Sequence, residues 1–229
     1  RDDVESRGLG DVYKRQACFL DSAAACDIPL NGYGIRYKYG LFKQSIGNGF
    51  QQESADPWLD YGDAWSVRAD NDAVIVEFAD QTVKAVPYDT PIIGFERKAI
   101  NTLRLWQAES IKGFDFRKFD NQDYIGASES EIMADAINDV LYPNDNTDKG
   151  RRLRLKQQYF FVSASIQDII RRYKAKYGED FSHFSECYAI QLNDTHPTVA
   201  IPELIRIFMF KEGLPFNCLL YTSPSPRDS

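Results

Sequence analysis

The sequence predicts an α/β fold, and three observations carry that prediction. Short β-branched and aromatic runs with two-residue alternation mark strands in the first half of the chain. Apolar stripes at helical spacing mark long helices in the second half. A short apolar run near Ile190 stands between two of those helices, so strand and helix alternate there.

Taken in order, Ala17–Ile28 is apolar and Ala-rich, which predicts a short buried helix stopped by Pro29, whose ring cannot continue it. Tyr33–Tyr39 places Ile35, Tyr37 and Tyr39 on one face and Arg36 and Lys38 on the other, the pattern of a half-buried strand. Gly47–Asp63 reads as loop. Val74–Phe78 and Thr82–Val86 flank Ala79-Asp80-Gln81 and predict a hairpin. Thr102–Trp106 alternates again and predicts another strand.

The period then changes. Ser128-Glu129-Ser130-Glu131 fits a capping box, with Ile132, Ala136, Ile137, Val140 and Leu141 following at helical spacing. Tyr142-Pro143-Asn144-Asp145-Asn146 ends that helix, because Pro cannot continue it and Asn and Asp favour turns. A long helix is expected from Arg151 to Tyr177, its stripe being Leu155, Tyr159, Val162, Ile166, Ile169/Ile170 and Tyr173, with Gly178 closing it. Cys187–Leu192 reads as a candidate central parallel strand, Asn193–Pro197 as a loop, and Val199–Lys211 as a helix with Pro202 in its first turn.

Composition narrows the function. The 229 residues carry 27 Lys and Arg against 34 Asp and Glu, a net charge of −7, which speaks against a nucleic-acid or anionic-membrane partner. No apolar run exceeds four residues, far short of the roughly 20 a membrane helix needs. None of the four cysteines forms a C-x-x-C pair, so a zinc site is disfavoured and reduced thiols in an intracellular protein are the simpler reading. There is no Gly-rich nucleotide fingerprint, and with two histidines no Ser/His/Asp set is recognisable. Residues 1–16 lack periodicity and 222–229 are Ser/Pro-rich. Both resemble translated adapter sequence, with frayed native termini as the alternative. The domain expectation is therefore a leader over 1–16, a partial domain over 17–217 and a tail over 218–229.

Three features could carry chemistry. Ile190-Gln191-Leu192-Asn193-Asp194-Thr195-His196-Pro197 empties an apolar run into four consecutive polar side chains before a helix, where open α/β sheets bind ligands. Ordinary capping is the alternative. Asn144-Asp145-Asn146 can exchange hydrogen bonds with sugar hydroxyls, or be a solvated turn. Arg171-Arg172 suits phosphate, or complements the helix dipole and pairs with Asp168.

These segments stand in a recognisable order. A-C-F-L-D-S (Ala17–Ser22), G-Y-G-I-R-Y (Gly32–Tyr37), V-P-Y-D-T-P (Val86–Pro91), N-T-L-R-L-W (Asn101–Trp106), L-Y-P-N-D-N (Leu141–Asn146), L-R-L-K-Q-Q-Y-F (Leu153–Phe160), Q-D-I-I-R-R (Gln167–Arg172) and I-Q-L-N-D-T-H-P (Ile190–Pro197) together resemble the α-glucan phosphorylases of glycogen, starch and maltodextrin. The resemblance covers about 200 residues of the family's N-terminal domain, a minority of the full enzyme. It implies part of the N-terminal Rossmann-like domain of a two-domain GT-B-type glycosyltransferase. It also implies phosphorolysis of α-1,4-glucan by inorganic phosphate to α-glucose 1-phosphate, pyridoxal 5′-phosphate as cofactor, homodimerisation, and a cytoplasmic location, or a plastid in a plant or alga. The cofactor lysine and the groups that hold substrate phosphate would lie in the other half, so no catalytic residue is expected in this chain and the isolated chain is expected to be inactive.

Residue by residue, the resemblance gives Asp145, Asn146, Asp194 and His196 substrate contact. It gives Arg171 and Arg172 an effector-phosphate role and Cys18 a place near subunit association. Two departures stand out. Thr147 replaces an aromatic found in animal members. Six residues separate Gly8-Leu9-Gly10 from Ala17-Cys18-Phe19, where the family has three, so the family's Gly-loop role is not carried over. The competing readings are a non-catalytic lobe that binds glucan or pairs with another chain, and a nucleotide-sugar glycosyltransferase of similar architecture.

Overall fold

The computed structural model describes residues 17–96, 99–141, 143–193 and 195–216. The leader, the tail with Cys218, Tyr142 and Asp194 therefore lie outside the described residues.

A helix, α1, occupies residues 17–25. It ends before Pro29: Asp27 adopts φ 56°, its N–H donates to Ala24 O at 3.3 Å and that of Ile28 to Ala23 O at 2.8 Å. That paired arrangement is a Schellman closure, with Asp in the position usually taken by Gly. The strand β1 (Gly32–Ile35) runs parallel to β7 (Ile100–Ser110). It is shorter than the alternation to Tyr39 suggests. The Lys38 and Tyr39 N–H groups instead donate to the carbonyls of Asn138 and Asp139 at a helix end, which pulls the chain off the sheet.

Part of the loop expected over Gly47–Asp63 is in fact strand, since β2 (Lys43–Gly47) and β3 (Phe50–Ser54) form a hairpin. Asn48 and Gly49 take φ 52° and 79°, both positive, as a two-residue type I′ connection requires. β4 (Val67–Arg68) and β5 (Val74–Glu77) both pair antiparallel with β6 (Thr82–Ile93), and β6 pairs antiparallel with β7 along its length. The order β1-β7-β6-β4, with β5 also on β6, makes a mixed sheet. The expected β5–β6 hairpin is present, closed by Phe78 N–H on Gln81 O at 2.8 Å.

Helix α2 (Phe116–Asp120) precedes α3 (Tyr124–Asn138). The capping box at Ser128 is corrected: Asp123 caps α3, its Oδ1 accepting from Gly126 N–H at 2.9 Å, and Ser128 lies inside the helix. An Asx side chain one turn earlier competes better for the free N–H groups. Helix α4 (Asp148–Tyr177) runs 30 residues and ends at Gly178, φ 77°. Its stripe is half-buried at Tyr159 and buried from Val162 onward, but Leu155 is 56% exposed. The strand expected over Cys187–Leu192 is also corrected. Phe184–Cys187 is a helical turn, α5, and residues 188–193 pair with no strand among the described residues. Packing holds the run instead: Tyr188 stacks on Phe184 at 5.4 Å, and Ile190 lies against the core. The last helix, α6 (Ala200–Arg206), continues as a π turn over Ile207–Lys211.

Helix α4 joins two cores. Phe160 and Ala164 meet Ile137 and Ala134 of α3 and the sheet residues Val76, Val83, Ala85, Trp106 and Ala108. Further along, Ile166, Ile170 and Tyr173 meet Phe181, Phe184, Leu204 and Phe208. Burial of such side chains contributes about 1.5–3 kcal/mol each.

Candidate functional site at the start of helix α4

The polar loops at Asp145 and His196 are joined by a residue the sequence reading passed over. Arg154, on the second turn of α4, donates from Nη1 to Asp145 Oδ2 at 2.5 Å, and its Nη2 lies 3.4 Å from His196 Nε2. A guanidinium has only donors, so in that contact Nε2 accepts and the ring proton sits on Nδ1.

Local sequence shapes the loop. Thr147 caps α4, its Oγ1 accepting from Gly150 N–H at 3.2 Å. Asn144 Oδ1 accepts from Asn146 N–H at 2.9 Å, an Asx turn. Gly150 is demanded by contact: a Cβ there would stand 1.7 Å from the Asn144 carbonyl oxygen. The loop is thus seated directly on the first turn of the helix. Behind it, buried Gln157 donates from Nε2 to the carbonyls of Ile137 and Val140 at 3.1 and 2.7 Å, satisfying the end of α3.

Asp145 and Asn146 therefore stand on one exposed turn beside His196, which opens the 3-10 turn His196–Val199. Asp194 lies outside the described residues. The cluster offers a carboxylate, an amide, an imidazole and a guanidinium at one edge of the molecule. These are donors and acceptors suited to the hydroxyls of a sugar. Arg154, Gly150 and Gln157 are its supports, and their only sequence signal was the three-to-four residue spacing on one helix face.

Arg171 and Arg172 belong to a different place. Arg171 Nη2 lies 2.6 Å from Asp168 Oδ1 and 3.1 Å from Asp72, and Arg172 Nε lies 2.9 Å from Asp168 Oδ2. Asp168 also accepts from Arg104 Nη1 at 2.8 Å and Tyr33 OH at 2.9 Å. The pairing with Asp168 foreseen as the structural alternative is present, and the two side chains keep 44% and 32% of their surface exposed. Burial and the Asp168 charge push the Tyr33 hydroxyl well above the ordinary phenol range. Cys18 is an exposed free thiol on α1.

A pyridoxal phosphate Schiff base needs a lysine that gives up its proton, which burial or neighbouring cations promote. Among the described residues no lysine is buried. Lys38 is raised, burial being outweighed by Asp135 and Asp139, and Lys174 is raised by its bond to Glu212. Lys156 is tied to Asp80 at 2.6 Å. These residues do not fit the cofactor, so no step is derived through it. No group of His, Cys, Asp and Glu among the described residues could hold a metal, and no helix among them is long and apolar enough to cross a membrane.

The chain is similar to known proteins along most of its length. The family model for carbohydrate phosphorylases matches residues 3–220, reaching into both terminal segments set apart on composition. Glycogen phosphorylase, liver form, of Homo sapiens is 45% identical over 236 residues, which is 93% of this chain and 28% of that protein. Glycogen phosphorylase of Chlamydia trachomatis is 44% identical over 92% of this chain, and that of Synechocystis 41% over 88%; the chain spans 28% and 26% of their lengths. The order of segments, the mixed α/β fold that carries them and the span of these matches lead to one statement: the chain belongs to the carbohydrate phosphorylase family.

Proposed function

We propose that this chain is the glucan-facing part of an α-1,4-glucan phosphorylase, which uses inorganic phosphate to release α-glucose 1-phosphate from glycogen, starch or maltodextrin. The observation that carries this reading is the convergence of Asp145 and His196 on Arg154, two loops far apart in sequence that the family resemblance assigns independently to substrate. Asp145, Asn146 and His196, with Asp194, would orient sugar hydroxyls. Fixed anions and dipoles of this kind stabilise the cationic character that develops at the anomeric carbon when the glycosidic bond breaks.

On the same reading, the mixed sheet and its helices, over 17–217, are part of a Rossmann-like N-terminal domain of a GT-B-type enzyme. Its second domain would hold pyridoxal 5′-phosphate, whose phosphate group would supply acid–base chemistry beside the substrate phosphate. Homodimerisation with Cys18 near the contact, a cytoplasmic setting, and effector phosphate at Arg171 and Arg172 belong to the same proposal.

The test is direct. The complete polypeptide, given maltoheptaose and orthophosphate, should release α-glucose 1-phosphate, read by 31P NMR. The isolated 229-residue chain should release none. Product from the isolated chain would contradict the assignment of catalysis to the other domain. No product from the complete polypeptide would favour the non-catalytic glucan-binding lobe.

A further inference from the structure

Gly150, Arg154 and Gln157 stand three and four residues apart, on one side of α4. Each holds a different part of the α3–α4 connection. Gln157 takes the carbonyls at its start, and Gly150 lets the Asn144 carbonyl rest on the helix at its end. With both ends fixed, what is left to place is the tip, Asp145, and its distance from His196. Arg154 touches both.

We propose that Arg154 is a positioning residue: its guanidinium sets the separation of Asp145 and His196 and holds His196 in the tautomer with its proton on Nδ1. This deepens the glucan reading above and rests on it for the effect on turnover. Two features argue that the pair serves geometry rather than stability. The side chains of Arg154 and Asp145 are 37% and 45% exposed, where water screens an ion pair and leaves it little net worth. The neighbouring cation on the helix, Arg151, is already engaged by Asp148 at 2.5 Å. The role also calls for arginine. Two separate nitrogens of one rigid fork meet two partners, whereas an ammonium is a single point of charge on a flexible stem.

The experiment uses the complete polypeptide with Arg154→Met and Arg154→Lys. Kinetics with maltoheptaose and orthophosphate are read beside the 15N shifts of the His196 ring, assigned by the signals lost in His196→Gln. The expected result is a fall in kcat of about 10–100-fold in both variants, since small misplacements of orienting groups cost rates of that order. KM should stay within about two-fold and the urea midpoint should not move, because the pair is screened. The ring should lose its Nδ1–H preference in both. Full recovery of kcat by Arg154→Lys would reduce the role to charge and overturn the proposal. So would an unchanged tautomer, or a midpoint that falls along with kcat. A tautomer that shifts while even the unaltered protein makes no glucose 1-phosphate would support the positioning role and reject the glucan reading instead.

Discussion

Asp168 has no exposed side-chain surface, yet Arg104, Arg171, Arg172 and Tyr33 all meet it. Arg104, only 3% exposed, is held in turn by Asp89 and Asp72 at 2.6 and 2.7 Å. Removing one member of such a cluster leaves buried charge without compensation. Asp168→Asn should therefore destabilise the fold by about 3–5 kcal/mol in urea unfolding; a loss below about 1 kcal/mol, the worth of a surface pair, would show the cluster to be loosely built. Asp139 presents the reverse case. Burial raises its carboxyl above the ordinary range, with Lys38 only partly offsetting it, and its Oδ1 is a buried acceptor without a hydrogen bond. A raised acid adds stability that is complete below its unfolded value and is lost as pH rises through the folded one. Asp139→Asn should accordingly raise the urea midpoint at pH 7 and leave it nearly unchanged at pH 4. An equal effect at both pH values would contradict the assignment.

At the scale of elements, side chains finish what the backbone begins. Asn138, the last residue of α3, pairs with Ala108 of β7 through both its amide atoms, accepting from N–H and donating to C=O at 2.9 Å. It stands in for a strand neighbour, and its replacement by Ala should cost about 1–3 kcal/mol, the penalty for buried groups left unpaired. Trp106 is buried completely and donates from Nε1 to Ser165 Oγ at 3.0 Å, fixing α4 over the sheet. The elements the residues spelled out were those with a long apolar period: α4 from Tyr159 onward, α6, and the β5–β6 hairpin. The β2–β3 hairpin escaped because its residues alternate little and face water on both sides, although Asn48-Gly49 was a strong turn signal. The α3 start was misplaced because the Ser128–Glu131 capping-box pattern competes with Asp123, and the bond from Gly126 decides. Residues 187–192 have the composition of a strand, but a strand needs a neighbour, and aromatic packing claims them first.

At the scale of the whole molecule, three arginines and three aspartates tie β6, β7, the turn before β5 and α4 into one charged seam. Burial would raise the Asp72 carboxyl, but the bond and charge of Arg104, with Arg171 and Arg172, hold it below the ordinary range. Stability from such a lowered acid is complete above its unfolded value and is lost as pH falls through the folded one. Asp72→Asn should thus unfold at a lower urea midpoint than the intact protein at pH 7, monitored by circular dichroism, and the gap should close as pH falls below the ordinary carboxylate range; a gap that stays constant down to pH 2 would contradict the assignment. Half of the candidate site was legible in the same global sense. Asp145, Asn146 and His196 stood out as polar residues at element ends, while Arg154 did not, since an Arg inside a helix with several cations carries no mark of which one reaches two loops. Its role exists only once α4 has brought the loops together.

The central claim is that this cluster faces α-1,4-glucan, and one measurement meets it most directly. The complete polypeptide and its Asp145→Asn variant are compared for kcat/KM in phosphorolysis of maltoheptaose, with urea unfolding run alongside. Asn keeps the size of the side chain and removes the charge that orients hydroxyls and opposes Arg154. The expected result is a fall of about 100-fold or more, comparable to losing one preorganised electrostatic contact in a transition state, with the unfolding midpoint unmoved. Equal kcat/KM in the two proteins would contradict the claim and place the glucan elsewhere.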